Sequence, residues 1–440
     1  MENKKIKQSN FLYFLIILLI FANLFLGWSF QNLKIFSLPI NEIMIFLLLT
    51  QIKPFIILNY LEKVVNIFPY IFWLIFGFIY LVVGFSREGI WALRDGSHVI
   101  DSLYLIIGFF IISNEKNYEN LFLYLKYFTW IGLVYLLLFP FKESIQSFLP
   151  SVMGSSGFNV SNSIFNYSSI STTWVWLGFF ALLNYQKNNS GIFMKKIIPI
   201  SLIFFAIIIF QQRMIYLSVA TILIFLSMFA EMRKGILLYP IFFLFLLGFI
   251  SLFDFQIKGR IGDVSINFFV EHFMSLFGYS SERTLSSTGT VEQRMFWVQE
   301  LYEKSFSSVS RFFFGAGYGK PLVDFGIGSG IIVREPHNSY LSIYGKMGLI
   351  GTFVWTYMHL QFFKTWSKYY QYSKLNNMDD DKYKLIGFMV FIILILISGI
   401  SNSMFAETWI ASIYYLFWGI IFRICFNIEI KKRDKNYLLI

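Results

Sequence analysis

The sequence predicts an all-α integral membrane protein. Hydrophobic residues make up 57% of the 440 residues and charged residues only 14%, whereas a soluble domain carries about 25% charged residues. Apolar stretches long enough to cross a hydrocarbon core as helices, about 20 residues each, recur along the chain. About twelve such spans are predicted, near 11–30, 36–52, 65–85, 98–113, 119–139, 166–185, 197–211, 213–230, 236–253, 338–360, 385–405 and 408–427.

Positive charge orients these spans. With a cytoplasmic N-terminus, the inner loops hold many basic residues, among them Lys195, Lys196, Arg233 and Lys234, and the short outer loops hold few, chiefly Lys34, Arg87, Arg94 and Lys142. Such a bias predicts both termini in the cytoplasm. It also accounts for much of the formal net charge of +11, so we expect membrane lipids, and no nucleic acid, as partners.

The first span is predicted to be an uncleaved helix, because it ends at Trp28–Gln31 without a small-x-small cleavage pattern. The single cysteine, Cys425, excludes an intrachain disulfide. The four histidines have no paired metal-ligand spacing; they are His98, His272, His337 and His359. We therefore expect neither a bound metal nor another cofactor.

Two external segments interrupt the helical pattern. The smaller, 141–166, is rich in Gly, Ser and Asn and predicts an irregular loop. The larger, 254–337, is too long for a turn between packed helices. The predicted organisation is therefore nine N-terminal spans in 1–253, this large external loop, and three C-terminal spans in 338–440.

Much of the large loop is expected to be ordered. Apolar residues recur at helical spacing in 264–277 and 290–306, with Trp297, Val298 and Leu301 on or beside one face. The Ser/Thr/Gly-rich segment 278–290 between them predicts a mobile loop. Gly315 and Gly317 follow an aromatic run and predict a tight turn.

The loop 365–384 is polar and predicts a solvated cytoplasmic connector. We interpret its run Asp379-Asp380-Asp381 as solvated charges of this connector; the alternative is a metal site. No internal repeat is visible, which argues against a transporter built from inverted halves.

A polar segment, Arg334–Tyr340, leads directly into an apolar stretch. His337-Asn338 is followed by nine residues and then by Gly348-x-x-Gly351. Polar and ionisable groups at the mouth of a span are costly and often functional. The plain alternatives are that Asn338 caps the helix and that Gly348 and Gly351 allow close helix packing.

This pattern resembles the signature of the O-antigen ligase and polymerase family. Arg294 and Trp297 in the large loop, Gly315 and Gly317 before the histidine, and Arg213 at the start of a span extend the resemblance. Family members often carry a Ser-Arg-Gly run where this chain has Gln212-Arg213-Met214. The resemblance implies a twelve-span, GT-C-like fold in the bacterial inner membrane, with the active site facing the periplasm.

The resemblance also implies a metal-independent, inverting transfer of a glycan from an undecaprenyl-diphosphate donor. His337 is then the candidate base, and Glu335 orients it or competes for that role. Arginine binds phosphate oxygens through two hydrogen bonds and keeps its charge. The candidate diphosphate ligands are Arg213, Arg294, Arg334 and Arg94, with Lys320 in reserve.

Each candidate has a structural alternative. Arg213 can mark a membrane edge by snorkelling, and Arg294 can pair with Glu292 or Glu300. The charged stretch 87–98 around Trp91 can lie flat on the membrane. A further set of acidic residues suits either a proton relay or ordinary packing; it consists of Glu42, Asp101 and Glu407.

The leading hypothesis is a polymerase that joins repeat units of O-antigen or capsule polysaccharide. The first alternative is a ligase that transfers finished glycan to lipid A core or to protein. The second, from a different class, is a polysaccharide or lipid exporter without catalysis. The expected partners are the lipid-linked donor and a glycan or lipid A core acceptor. A regulator of chain length is a further candidate partner.

Overall fold

The computed structural model is nearly all helical, in agreement with the predicted fold class. It describes residues 10–35, 38–153, 161–163, 171–185, 192–229, 248, 259, 265–274, 285–323, 325–327 and 331–437. The N-terminal helices are α1 (Asn10–Leu26), α2 (Trp28–Gln31), α3 (Ile40–Gln51), α4 (Pro54–Glu62), α5 (Phe68–Glu88), α6 (Ile90–Asp95), α7 (Ser97–Asp101), α8 (Tyr104–Ile111), α9 (Glu115–Leu137) and α10 (Lys142–Phe148).

The remaining described helices are α11 (Ser171–Tyr185), α12 (Ile192–Phe210), α13 (Arg213–Ser227), α14 (Ile266–Met274), α15 (Leu285–Phe306), α16 (Val309–Phe314), α17 (Ser339–Leu375), α18 (Asp379–Ser398) and α19 (Thr408–Tyr437). Three short antiparallel hairpins connect them. They pair β1 (Lys34–Ile35) with β2 (Leu38–Pro39), β3 (Ser151–Met153) with β4 (Ser161–Ser163), and β5 (Phe325–Ile327) with β6 (Ile331–Val333).

Within these described ranges, three helices are long and apolar enough to cross a membrane, namely Phe68–Glu88, Lys116–Leu137 and Thr408–Asp434. The pair α3 and α4 gives a fourth if it is counted as one span, although it bends by 84°. Pro54 at the first turn of α4 explains the break, because proline does not continue a preceding helix. The predicted number of twelve spans stays a prediction, and 236–253 lies almost entirely outside the described residues.

The last helix forms the centre of the bundle. Over its apolar length α19 is almost wholly buried, whereas α5 exposes many apolar side chains. Gly108 of α8 and Gly419 of α19 let the two helices approach closely, since an added Cβ would lie 1.9 Å from the Leu416 carbonyl oxygen and 2.0 Å from that of Leu105. Small residues at such crossings permit backbone contact.

Three loop predictions were wrong in part. The segment 365–384, predicted to be a cytoplasmic loop, is helical except for Asn376–Met378, because α17 runs on to Leu375 and α18 begins at Asp379. The segment 278–290 is helical from Leu285, and its earlier part lies outside the described residues. The predicted irregular loop 141–166 contains α10 and the β3–β4 hairpin. Polar composition at these places therefore did not exclude helices and strands.

Candidate functional site

The polar segment Arg334–Tyr340 is fixed at the start of α17. Asn338 is the N-cap, as expected, and its side-chain oxygen accepts hydrogen bonds from the backbone N–H groups of Tyr340 and Leu341, both at 3.0 Å. The same side chain donates to the carbonyl of Ile400 at 2.7 Å. The cap thus ties α17 to the turn that follows α18.

His337 has an unusual backbone and a defined neighbour. Its φ is +47°, a region that few residues other than glycine adopt. Its ring centroid lies 5.3 Å from that of Trp297, and the residue as a whole remains exposed. Partial desolvation of the ring and the charge of Arg294 lower the imidazole pKa, against a smaller opposing effect of Glu335. The ring is therefore neutral near pH 7, as a general base requires.

The charge of Arg294 acts on His337, and the charge of Arg213 acts on Arg294. Arg294 precedes Trp297 by three residues on α15, and so shares its face of the helix. Burial lowers the pKa of Arg294, and the charge of Arg213 lowers it further. Arg213 is the first residue of α13, where the helix dipole is also positive. The two arginines and the helix end form a region that favours an anion.

His272 belongs to this region, although the sequence did not predict it as a site residue. Its Nδ1 lies 3.3 Å from the hydroxyl of Tyr216, one turn beyond Arg213. Burial and the charge of Arg213 lower its pKa to about 4, so the ring is neutral and free of charge repulsion with the arginine. No sequence pattern in α14 predicts that its histidine lies next to α13.

Glu335 is held by partners other than His337. Its Oε1 contacts the ammonium of Lys346, and its Oε2 accepts a hydrogen bond of 3.2 Å from Ser342. Burial raises the pKa of this carboxyl, but the charge and hydrogen bond of Lys346 outweigh burial, and Arg94 and Ser342 add to them, so that the pKa falls to about 2. These contacts favour an anchoring role for Glu335 over a catalytic one.

Lys346 connects Glu335 to a second carboxylate. Its ammonium lies 3.5 Å from Asp95, and both side chains are almost fully buried. Asp95 also accepts a hydrogen bond of 3.0 Å from the Gly319 N–H group. Asp95 and His98 are buried, so the end of the stretch 87–98 does not lie on the surface, whereas Arg87, Trp91 and Arg94 are exposed.

Arg334 and Arg94 lie around Trp91. The Arg334 guanidinium is 4.3 Å from the ring centroid and donates to the Gly319 carbonyl, while that of Arg94 is 5.2 Å from the same ring. Both contacts stabilise the turn that carries Asp95. The structure therefore places these two candidate diphosphate ligands in a supporting cluster, whereas the charge of Arg294 acts on His337 and that of Arg213 acts on Arg294.

Gly348, the first glycine of the Gly-x-x-Gly pattern, packs against a second glycine turn at Gly315. Gly348 breaks the helical path of α17 with a φ of +65°, and Gly315 has a φ of +73°. An added Cβ on Gly348 would lie 2.4 Å from the Phe313 carbonyl, and one on Gly315 would lie 2.5 Å from the Lys346 carbonyl. The two turns therefore interlock through their backbones, and neither accepts a side chain without a shift.

The interlocked turns also exchange hydrogen bonds. The N–H of Ala316 donates to Gly345 at 2.8 Å, and that of Gly317 donates to Lys346 at 3.0 Å. These bonds satisfy carbonyls that the break at Gly348 frees. Gly351 leaves no room for a side chain, because an added Cβ would lie 2.2 Å from the Cβ of Met347. The motif glycines are thus structural, as expected, and position the start of α17.

Glu407 is a further acidic residue, near Glu335. Its Oε2 accepts a hydrogen bond of 2.8 Å from the Trp409 indole. Burial raises the pKa of this carboxyl to about 7, with an opposing effect of Trp409 and a further rise from the nearby charge of Glu335. Glu407 is therefore partly protonated at neutral pH, unlike Glu335.

Together, these features define a nearly all-helical protein with membrane-length helices and a cationic, histidine-containing site beside a broken helix. No known family model matches the chain, and no curated protein is significantly similar to it. The likeness to the O-antigen family therefore depends on the motif residues themselves.

Proposed function

We propose that this protein is a membrane glycosyltransferase that moves a glycan from a polyprenyl-diphosphate carrier to a sugar hydroxyl, most simply as a polymerase of repeat units. The observation that supports the proposal is the electrostatic linkage that runs from Arg213 through Arg294 to His337. The charge of Arg213 acts on Arg294, and that of Arg294 acts on the imidazole. A neutral base near one cation, with a second cation near the first, suits a reaction with an anionic leaving group.

The chemistry assigns a role to each group. The acceptor oxygen attacks the anomeric carbon while His337 takes the hydroxyl proton. The bond from the anomeric carbon to the phosphate oxygen breaks, and the diphosphate leaves with the electron pair, so its charge grows where Arg213 and Arg294 are expected to bind it. Attack opposite the leaving group inverts the anomeric centre. The buried Trp297 packs beside His337.

Product size distinguishes polymerase from ligase. The purified protein in nanodiscs is incubated with undecaprenyl-diphosphate-linked repeat units, alone or with lipid A core. A ladder from the donor alone supports the polymerase, and a single transfer that requires core supports the ligase. No product under either condition would contradict a transferase for these substrates and would favour an exporter.

The variant His337→Gln tests the base. It keeps a polar side chain but loses the basic nitrogen, so transfer should fall about 10²- to 10⁴-fold while donor binding persists. The matched control is His359→Gln, since His359 is a buried histidine bonded to Tyr414 and has no assigned role in transfer. Undiminished activity of His337→Gln would overturn the base assignment.

A further inference from the structure

A cavity with basic side chains lies between α15, α16 and the interlocked glycine turns. Its volume is about 210 Å³. Three cationic side chains and one hydroxyl line it, from Lys304, Arg311, Lys320 and Ser305. Backbone of the interlocked turns at Ala316 and Gly345 and three apolar side chains complete the lining. The lining includes none of Arg213, Arg294 and His337, so this is a separate site.

The three cations differ in how far they are already neutralised. Lys304 pairs with Glu300 at 2.7 Å and donates to the Leu322 carbonyl at 3.3 Å. Arg311 and Lys320 are exposed, and neither forms an ion pair with any residue in the part of the chain that the structure describes. The cavity therefore has a fixed ammonium on one side and two cations available for a ligand, which suits a group with several anionic oxygens.

The helices that carry these cations also expose large apolar side chains. Tyr302 and Phe306 on α15 are 61% and 54% exposed, and Val309, Phe313 and Phe314 on α16 are 76%, 40% and 50% exposed. Aromatic and aliphatic side chains next to basic ones are typical of protein at the level of lipid head groups. An anion at this level is most readily presented by a lipid.

We propose that the cavity binds the phosphate of a lipid head group. Arg311 supplies a planar pair of N–H donors, Lys320 a point charge, and Ser305 a hydroxyl donor, while the exposed residues of α15 and α16 contact the acyl region. This binding is independent of the transfer reaction and does not require that the proposed function is correct.

The test uses the full-length protein in a neutral detergent. Dioctanoyl phosphatidic acid is titrated and binding is followed by native mass spectrometry, with inorganic phosphate as a competitor. The double variant Arg311→Gln/Lys320→Gln should weaken binding at least about tenfold, as expected for the loss of one or more charge-assisted bonds. The control Arg87→Gln/Lys142→Gln removes one exposed and one partly exposed charge elsewhere and should bind as the wild type does.

Lys320→Gln alone, in an exposed turn, provides a readout if the double variant fails to fold, and it should weaken binding several-fold. Inorganic phosphate should compete only at far higher concentration than the lipid. Equal losses in the pocket and control variants would overturn the proposal, because they indicate nonspecific attraction. Phosphate that competes as well as the lipid would overturn the lipid assignment.

Discussion

At the residue scale, two groups near the start of α17 have different electrostatic roles. His337 is exposed and its pKa is lowered, which suits proton transfer. Lys346 is buried between Glu335 and Asp95, which suits the anchoring of three chain segments. The sequence indicated His337 and the two arginines but not Lys346, His272 or Asp95, because their partners are distant in sequence and no spacing reports such contacts.

Removal of the Lys346 ammonium should be costly. Lys346→Met leaves two buried carboxylates without their cation, and breaking a buried pair in this way costs about 3–5 kcal/mol of unfolding free energy. Denaturant unfolding in detergent measures the loss. The control Lys304→Met breaks a partly exposed pair on one helix, which is worth about 0.5 kcal/mol or less.

Glu335→Gln combined with Lys346→Met should recover part of that stability, since one of the stranded charges is then gone. If Lys346→Met is no more harmful than Lys304→Met, the anchoring role is wrong. The double variant also separates anchoring from catalysis: a base role for Glu335 requires that transfer remain lost after stability is recovered.

Glu407 should make stability depend on pH. Its pKa is raised to about 7 from an ordinary value of 4.5, so the folded state favours the protonated form. This contribution is fully present below pH 4.5 and is lost as pH rises through 7. The apparent Tm of the wild type should therefore fall between pH 5.5 and 8 more steeply than that of Glu407→Gln.

The exposed Glu62→Gln variant serves as the control for Glu407 and should follow the wild-type profile. Parallel Tm profiles for the wild type and Glu407→Gln would show that Glu407 titrates at its ordinary pKa. The distinction requires only a thermal scan in detergent at several pH values.

At the element scale, hydropathy located the helices well but not their breaks. The predicted span 65–85 corresponds to α5, and 408–427 corresponds to the apolar part of α19. The predicted span 98–113 is divided between α7 and α8, and 36–52 corresponds mainly to α3. Breaks depend on packing and on single backbone dihedral angles, as at Gly348, and an average over a window of residues does not detect them.

The interlock of Gly315 and Gly348 gives an element-scale prediction. Gly348→Ala adds a Cβ both to a residue with positive φ and against the Phe313 backbone at 2.4 Å. Gly89→Ala meets the same backbone strain at φ +60° but has no atom within 4 Å, so it isolates the dihedral cost of about 1 kcal/mol. The free energy of unfolding should fall by clearly more in Gly348→Ala than in Gly89→Ala.

Activity provides a second measure of the glycine interlock. Because the interlock positions the start of α17, Gly348→Ala should also reduce transfer, whereas Gly89→Ala should not. Equal stability of the two alanine variants would mean that the contact with Phe313 relaxes without cost, and the positioning role of the motif glycines would then be wrong.

At the scale of the whole molecule, composition and charge predicted a helical membrane protein, and the helices of membrane length agree with that class. They did not predict that α19 is buried at the centre while α5 exposes many apolar side chains. Both helices are apolar all round, and in a membrane the lipid-facing and protein-facing sides are similarly apolar. Only the packing of the other helices assigns one of them to the interior.

The topology is the remaining whole-molecule prediction, and cysteine labelling tests it directly. The native Cys425 is buried, so it should stay unlabelled by a membrane-impermeant maleimide and leave a silent background. Arg87→Cys is an exposed and Lys142→Cys a partly exposed position on predicted external segments. Lys63→Cys and Lys374→Cys are exposed positions on predicted cytoplasmic segments. Because the positive-inside bias orients the chain, intact cells should label the first pair only, and permeabilised cells all four. The reverse pattern would place His337 on the cytoplasmic side and exclude an external transferase.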